Sequence, residues 1–147
     1  MFTKLKLKSM MEETFEILLR EEYKCRIIDL QKFVKSNLIF ELTGADQIEG
    51  NMSLNSLFSL HFHQRGKIFG KVISATENEF DLEWNVTGFN KPDEIKTTVK
   101  IKLIENRTSS SLEIKHSLIK NYKAKLAKEK AWLEILENIK NKISPFS

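Results

Sequence analysis

Residues 97–118 read TTVKIKLIENRTSSSLEIKHSL and residues 122–143 read YKAKLAKEKAWLEILENIKNKI; the change of period between them decides the fold. In the first stretch Val99, Ile101 and Leu103 alternate with polar residues. Leu112, Ile114, His116 and Leu118 do the same beyond a polar turn at Asn106-Arg107-Thr108. Strict alternation marks a strand with one buried face, and two such runs around a short turn pair as a hairpin. In the second stretch Leu126, Trp132, Ile135, Leu136, Ile139 and Ile143 recur at helical spacing with lysines opposite, and Pro145 marks the end. This predicts one long amphipathic helix, the only element long enough to cover an apolar sheet face.

The same alternation continues upstream. Phe80, Leu82, Trp84 and Val86 share one face of a strand over residues 79–86, and residues 68–75 precede it across a turn at Glu77-Asn78. Phe58, Leu60 and Phe62 share a face within a long alternating segment, residues 52–63, bent near Asn55-Ser56. Gly66 sits where a hairpin needs a permissive residue, and residues 88–93 are a loop by composition. Residues 38–42 read as a further strand, followed by a turn at Gly44-Ala45-Asp46.

Nearer the start, residues 2–8 alternate Leu5 and Leu7 against three lysines, as a half-exposed strand does. Ser9-Met10-Met11-Glu12 has the form of a capping box, and Met11, Phe15, Leu18 and Leu19 at helical spacing predict a first helix to about Tyr23. Asp29 is expected to cap a second, shorter helix through Phe33 and Val34, ending near Ser36-Asn37. Short helices, then a run of strands, then one long helix is an α+β order, and hairpin-linked strands make the sheet antiparallel. No repeat, low-complexity tract or linker divides the chain, so one domain is expected over residues 1–147.

Composition narrows the function classes. At 147 residues, 41% hydrophobic and 30% charged, the chain can bury a sizeable core. It has no apolar run approaching the roughly 20 residues of a membrane span, and no secretory h-region at its start. The lone Cys25 cannot form an internal disulfide, and the cytoplasm is the expected location. The net charge of +4 invites a nucleic-acid reading, but Lys123, Lys125, Lys128 and Lys130 sit among Glu129, Glu134 and Glu137. A phosphate-tracking surface is more one-signed, so these lysines read as a solvated helix face and no nucleic-acid partner is expected.

Several short pieces carry a family resemblance: Gly70-Lys71-Val72, Phe80-Asp81-Leu82-Glu83-Trp84, Thr108 followed by Leu112-Glu113-Ile114-Lys115-His116-Ser117, and Ala131-Trp132-Leu133-Glu134-Ile135-Leu136. In this order and spacing, residues 66–139 resemble the Aha-type family, homologues of the heat-shock chaperone ATPase activator, within the START/SRPBCC superfamily. Ala131 stands where that family usually has glycine. The resemblance implies a helix-grip fold: a curved antiparallel sheet of about seven strands around a long C-terminal helix, two short N-terminal helices, and a hydrophobic cavity between sheet and helix. It also implies either a hydrophobic small-molecule ligand or a chaperone-activator-like protein partner.

Phase sorts the candidate site residues. His116 is in register with Leu112 and Ile114 and should face inward, either to orient a ligand or act on it as an acid or base, or, near the sheet edge, to be hydrogen-bonded to neighbouring backbone. His61 and His63 alternate with Phe58, Leu60 and Phe62 and should face outward, and no third metal ligand accompanies them. Trp84 and Trp132 either line a pocket or fill core, with Met10, Met11 and Met52 as adaptable walls. The expected ligand-contacting set is Phe62, Leu82, Trp84, Ile101, Ile114, His116, Trp132, Ile135, Leu136 and Ile139. No nucleophile elbow, Walker loop, zinc spacing or dinucleotide fingerprint occurs, so no cofactor or metal is expected. The leading expectation is a binding module for a small hydrophobic molecule, as a monomer or homodimer without membrane insertion. The alternatives are a chaperone-activator-like interaction domain and an enzyme using His116.

Overall fold

From Leu57 to Ile119 the alternating faces form five consecutive antiparallel strands, each hydrogen-bonded to the next: β3 Leu57–Phe62, β4 Gly66–Ala75, β5 Glu79–Gly88, β6 Glu94–Glu105 and β7 Ser110–Ile119. A short strand, β2 Gln47–Glu49, extends this sheet beyond β3, and β1 Phe15–Tyr23 extends it beyond β7. The sheet order is β1-β7-β6-β5-β4-β3-β2. Two short helices, α1 Ile27–Lys35 and α2 Leu38–Leu42, and one long one, α3 Tyr122–Lys142, pack on it. The computed structural model describes residues 13–90 and 93–143.

The sheet curves because three strands carry an extra residue. Register shifts fall at Ile73 in β4, at Ile95-Lys96 in β6 and at Ser117-Leu118 in β7, and each bulge bends its strand and re-aims the side chains beyond it. On the inner face Phe58, Leu60, Phe80, Leu82, Val99, Ile101, Leu103, Leu112 and Ile114 are all buried. Each contributes on the order of 1.5–3 kcal/mol by leaving water. Asn121 starts α3, its Oδ1 accepting from the Ala124 amide at 3.0 Å. From there Trp132, Ile135, Leu136 and Ile139 face the sheet. Tyr23 at the end of β1 clips the helix in place, its hydroxyl donating to the Leu136 carbonyl at 2.8 Å.

The seven-stranded sheet around a long helix is as expected, but the first third of the chain differs in detail. Residues 15–23 form a strand, not the end of a helix. Ile17 and Tyr23 are buried while Leu18 is 59% exposed, so the working period is two, set by pairing with the open edge of β7. The expected strand at residues 2–8, the capping box, the Met10 and Met11 walls and Pro145 lie outside the described residues. The second helix begins at Ile27 with Arg26 at its N-cap; Asp29 sits in its first turn and pairs with Arg26 at 3.1 Å. Residues 38–42 are helical, because Ile39 and Phe40 are buried side by side, which a half-exposed strand cannot do. Phe40 stacks on Phe58 with centroids 4.9 Å apart.

Smaller corrections follow from turns and bulges. The long segment at residues 52–63 is a strand only from Leu57, since Asn55 turns the chain at φ 67°. In the β3–β4 turn the left-handed residue is Gln64 at φ 57°, whereas Gly66 is required by crowding: a Cβ there would meet Thr87 O at 2.4 Å. The β7 bulge puts Leu118 at φ 63° and 46% exposed, and buries Ile119 in its place. Leu126 is 45% exposed because, nine residues before Ile135, it lies on the other side of the helix.

Gly70 is the most crowded of the glycines: an added Cβ would lie 1.9 Å from the Glu83 carbonyl oxygen. Gly70→Ala should therefore force β4 away from β5 and lower stability by about 1–3 kcal/mol. Urea denaturation checks this; an unchanged midpoint would show that the approach is not this close.

Candidate functional site

The inner face is filled by large side chains along most of its length, but not beneath the first half of α3. There the helix presents Ala124, Ala127 and Ala131 at spacings of three and four, so one helical stripe carries only methyl groups. The sheet curves away below it, and a cleft of about 340 Å³ remains. Its floor is aromatic: Trp84, Trp132 and His116. Phe62, Ile68, Val86 and Phe89 form the sheet-side wall, Leu42 and Thr43 come from α2, and Arg65, Glu134 and Asn138 stand around the rim. Glu94 and Ala124 also border a second recess of about 420 Å³ that includes Ile95, Leu118 and Asn121.

The floor is held by a directed chain of hydrogen bonds. Trp132 Nε1–H donates to His116 Nδ1 at 3.0 Å, so Nδ1 carries no proton and the neutral ring bears its hydrogen on Nε2. That Nε2 lies 2.9 Å from Thr97 Oγ1 and donates to it, and the Thr97 hydroxyl in turn donates to the Trp84 carbonyl. The chain links α3, β7, β6 and β5 through groups that are all buried. Trp84 and Trp132 lie with ring centroids 5.2 Å apart, and His116 meets both edge-on at 6.2 Å. Burial, then the nearby Lys128 charge, pushes the His116 imidazole down from 6.5 to about 3.

These bonds decide what His116 does in this arrangement. Both ring nitrogens are engaged and the protonated form is strongly disfavoured, so proton transfer to a ligand would first have to break the chain. The inward placement expected from phase is observed, and the ring is satisfied by side chains, not by backbone at a sheet edge.

One ion pair stands in the cleft wall. Lys128 Nζ and Glu94 Oε1 are 2.9 Å apart, with both side chains only 14% exposed. Glu94 Oε2 is buried with no hydrogen-bond partner. Glu94 reaches this position through the β6 bulge: Trp84 pairs with Thr97 but Val86 pairs with Glu94, leaving Ile95 and Lys96 opposite Asn85. Plain alternation from Val99 would have placed Glu94 outside. Lys96 takes the left-handed turn at φ 67°, and Asn85 Oδ1 accepts its amide.

Of the expected ligand-contacting residues, Phe62, Trp84, His116, Trp132 and Ile135 line the cleft. Leu82, Ile101, Ile114, Leu136 and Ile139 are instead buried in the filled core, as is Met52. His61 lies on the outer side with Nε2 2.8 Å from Glu49 Oε1, and His63 is exposed. Among the described residues no group of three His, Cys, Asp or Glu side chains could hold a metal ion. Sequence reading missed Glu94, hidden by the bulge, and Lys128, taken as part of a solvated face. It also passed over the alanine stripe, whose spacing was visible.

A seven-stranded antiparallel sheet around a long C-terminal helix, with two short helices, is the helix-grip fold. Solved structures share it. CalU16 from Micromonospora echinospora aligns over 90% of this chain and 78% of its own, at 17% identity and TM-score 0.69. The Aha1 dimer from Colwellia psychrerythraea aligns over 86% and 94%, at 18% identity and TM-score 0.68. Norcoclaurine synthase from Thalictrum flavum, in complex with dopamine and hydroxybenzaldehyde, aligns over 95% and 94%, at 12% identity and TM-score 0.61. The likeness to Aha1 gives the resemblance seen in the sequence its counterpart in a shared fold. No family model matches the chain, and no curated protein matches its sequence.

The neutral His116 has a measurable consequence. The unfolded chain takes up a proton near pH 6.5, while the folded ring resists until about pH 3, so acid favours unfolding between these values. Stability should fall as pH drops through this window, with His116 contributing about 1.4 kcal/mol per pH unit. Chemical denaturation at several pH values, compared with His116→Gln, checks this: the variant should show the shallower slope. Equal slopes would mean that His116 is not held neutral.

Proposed function

We propose that the chain is a single START/SRPBCC-like domain that binds a small hydrophobic molecule between the sheet and α3. The observation that carries this reading is the cleft itself: about 340 Å³, floored by two tryptophans and a neutral histidine and roofed by alanines. That volume falls in the range of small-molecule sites, and an apolar lining with a few placed polar groups is their usual chemistry. The short side chains of Ala124, Ala127 and Ala131 leave this space open, where longer ones on the same stripe would occupy it. Norcoclaurine synthase, with the same fold, is a precedent for small aromatic molecules in such a protein. Fold alone does not decide function, so the weight rests on the cleft.

In this reading the ligand contacts Phe62, Trp84, Trp132 and Ile135, while His116 holds the floor rigid. The protein acts in the cytoplasm as a monomer or homodimer, without nucleic acid. No helix among the described residues is long and apolar enough to cross a membrane. A chaperone-activator-like interaction role is the second reading, supported by the fold shared with the Aha1 dimer. It needs an exposed surface and is indifferent to the cleft.

The two readings separate on one substitution. Ala127 is exposed and lines the cleft, so Ala127→Phe fills the site while leaving the core intact. In a dye-displacement assay with fatty acids and sterols, the variant should lose at least about ten-fold in affinity with a thermal midpoint close to the parent's. Native mass spectrometry after mild purification gives an independent readout. Undiminished binding in Ala127→Phe would place the ligand elsewhere.

A further inference from the structure

Two buried side-chain oxygens among the described residues lack a hydrogen-bond partner, Asn37 Oδ1 and Glu94 Oε2, and of these residues only Glu94 lines the cleft. A buried carboxylate oxygen left unbonded forfeits a strong, charge-assisted interaction. The β-bulge at Ile95-Lys96 and the Asn85 bond that pins it hold Glu94 in this position, at the cost of a left-handed lysine. The geometry points to Glu94 and its partner Lys128 as the recognition site for a neutral hydroxyl on an otherwise apolar ligand.

The charges around the cleft select that chemistry. Lys128 and Arg65 are balanced by Glu94 and Glu134, so the lining as a whole favours neither sign. A ligand carboxylate would face Glu94 Oε2, and a ligand ammonium would face the Lys128 ammonium 2.9 Å from Oε1. Either meets one like and one opposite charge of a pair that is already neutral, so little net attraction offsets the hydration an ion loses in a place largely shut off from water. A hydroxyl has far less hydration to lose. It carries one donor and two acceptor lone pairs, so one oxygen can donate to Glu94 Oε2 and accept from Lys128 Nζ. The apolar remainder then lies over Trp84 and Trp132. This inference rests on the cleft being the ligand site and adds the class of head group it takes.

Isothermal titration with four probes of one shape tests it: naphthalene, 2-naphthol, 2-naphthoate and 2-naphthylmethylammonium. The parent protein should bind 2-naphthol about ten-fold or more tighter than the other three, the difference one hydrogen bond to a charged group makes. In the Glu94→Gln/Lys128→Met variant naphthalene should bind within about three-fold of the parent, showing an intact cleft, while the naphthol advantage disappears. Glu94→Gln alone, which leaves Lys128 without its carboxylate, should gain affinity for 2-naphthoate. A parent that binds naphthol no better than naphthalene, or a double variant that keeps the preference, overturns the assignment of Glu94 and Lys128 but leaves the cleft as a binding site. If none of the four probes binds the parent, the cleft reading itself fails, and this inference with it.

Discussion

A buried indole must find an acceptor for its N–H, and much of this structure follows from where Trp132 finds one. Its partner is His116 Nδ1 at 3.0 Å, on the strand that pairs with β1 and β6. Accepting there fixes the imidazole tautomer, sends the Nε2 hydrogen to Thr97, and sends the Thr97 hydrogen on to the Trp84 carbonyl. One donor on the helix thus sets the direction of every bond below it. Losing any member leaves a buried polar group unsatisfied, at about 1–3 kcal/mol each. Tryptophan, histidine and threonine are therefore found together, and the ring that looks most like a catalytic group is committed to holding the helix.

The cleft exists because that anchor sits at one place on α3 and the alanines at another. The helix packs down on β1 and β7 beyond Trp132, whereas Ala124, Ala127 and Ala131 are too short to fill the space over strands β3 to β6. The anchor also gives the cleft a stiff aromatic floor, with Trp84 and Trp132 tilted together at 5.2 Å. A rigid apolar floor beside a paired charge is suited to holding a ligand body and orienting its polar end.

Much of this was legible in the sequence, and what was not has physical reasons. Period-two phase separated His116 from His61 and His63, and placed β4 through β7 to within three residues, because strands buried on one face cannot slip register without exposing it. The same rule failed past each bulge. Leu118 and Ile119 exchanged sides, and Glu94 turned inward, because one extra residue reverses the phase and nothing in Lys96 or Ser117 announces it. In the N-terminal third, Leu18 and Leu19 fit either period, and the open edge of β7 decided for a strand. Half of the expected ligand-contacting set fills the core, because phase tells which side chains face inward and not which of those border open space.

The central claim is that His116 is a neutral, Nε2-protonated ring held between Trp132 and Thr97. Nitrogen NMR of the histidine side chains across pH tests this most directly. One imidazole should keep its proton on Nε2, unchanged from neutral pH down to below pH 5, and the Trp132 indole N–H should be protected from exchange. A His116 ring that titrates near pH 6.5, or that carries its proton on Nδ1, would contradict it.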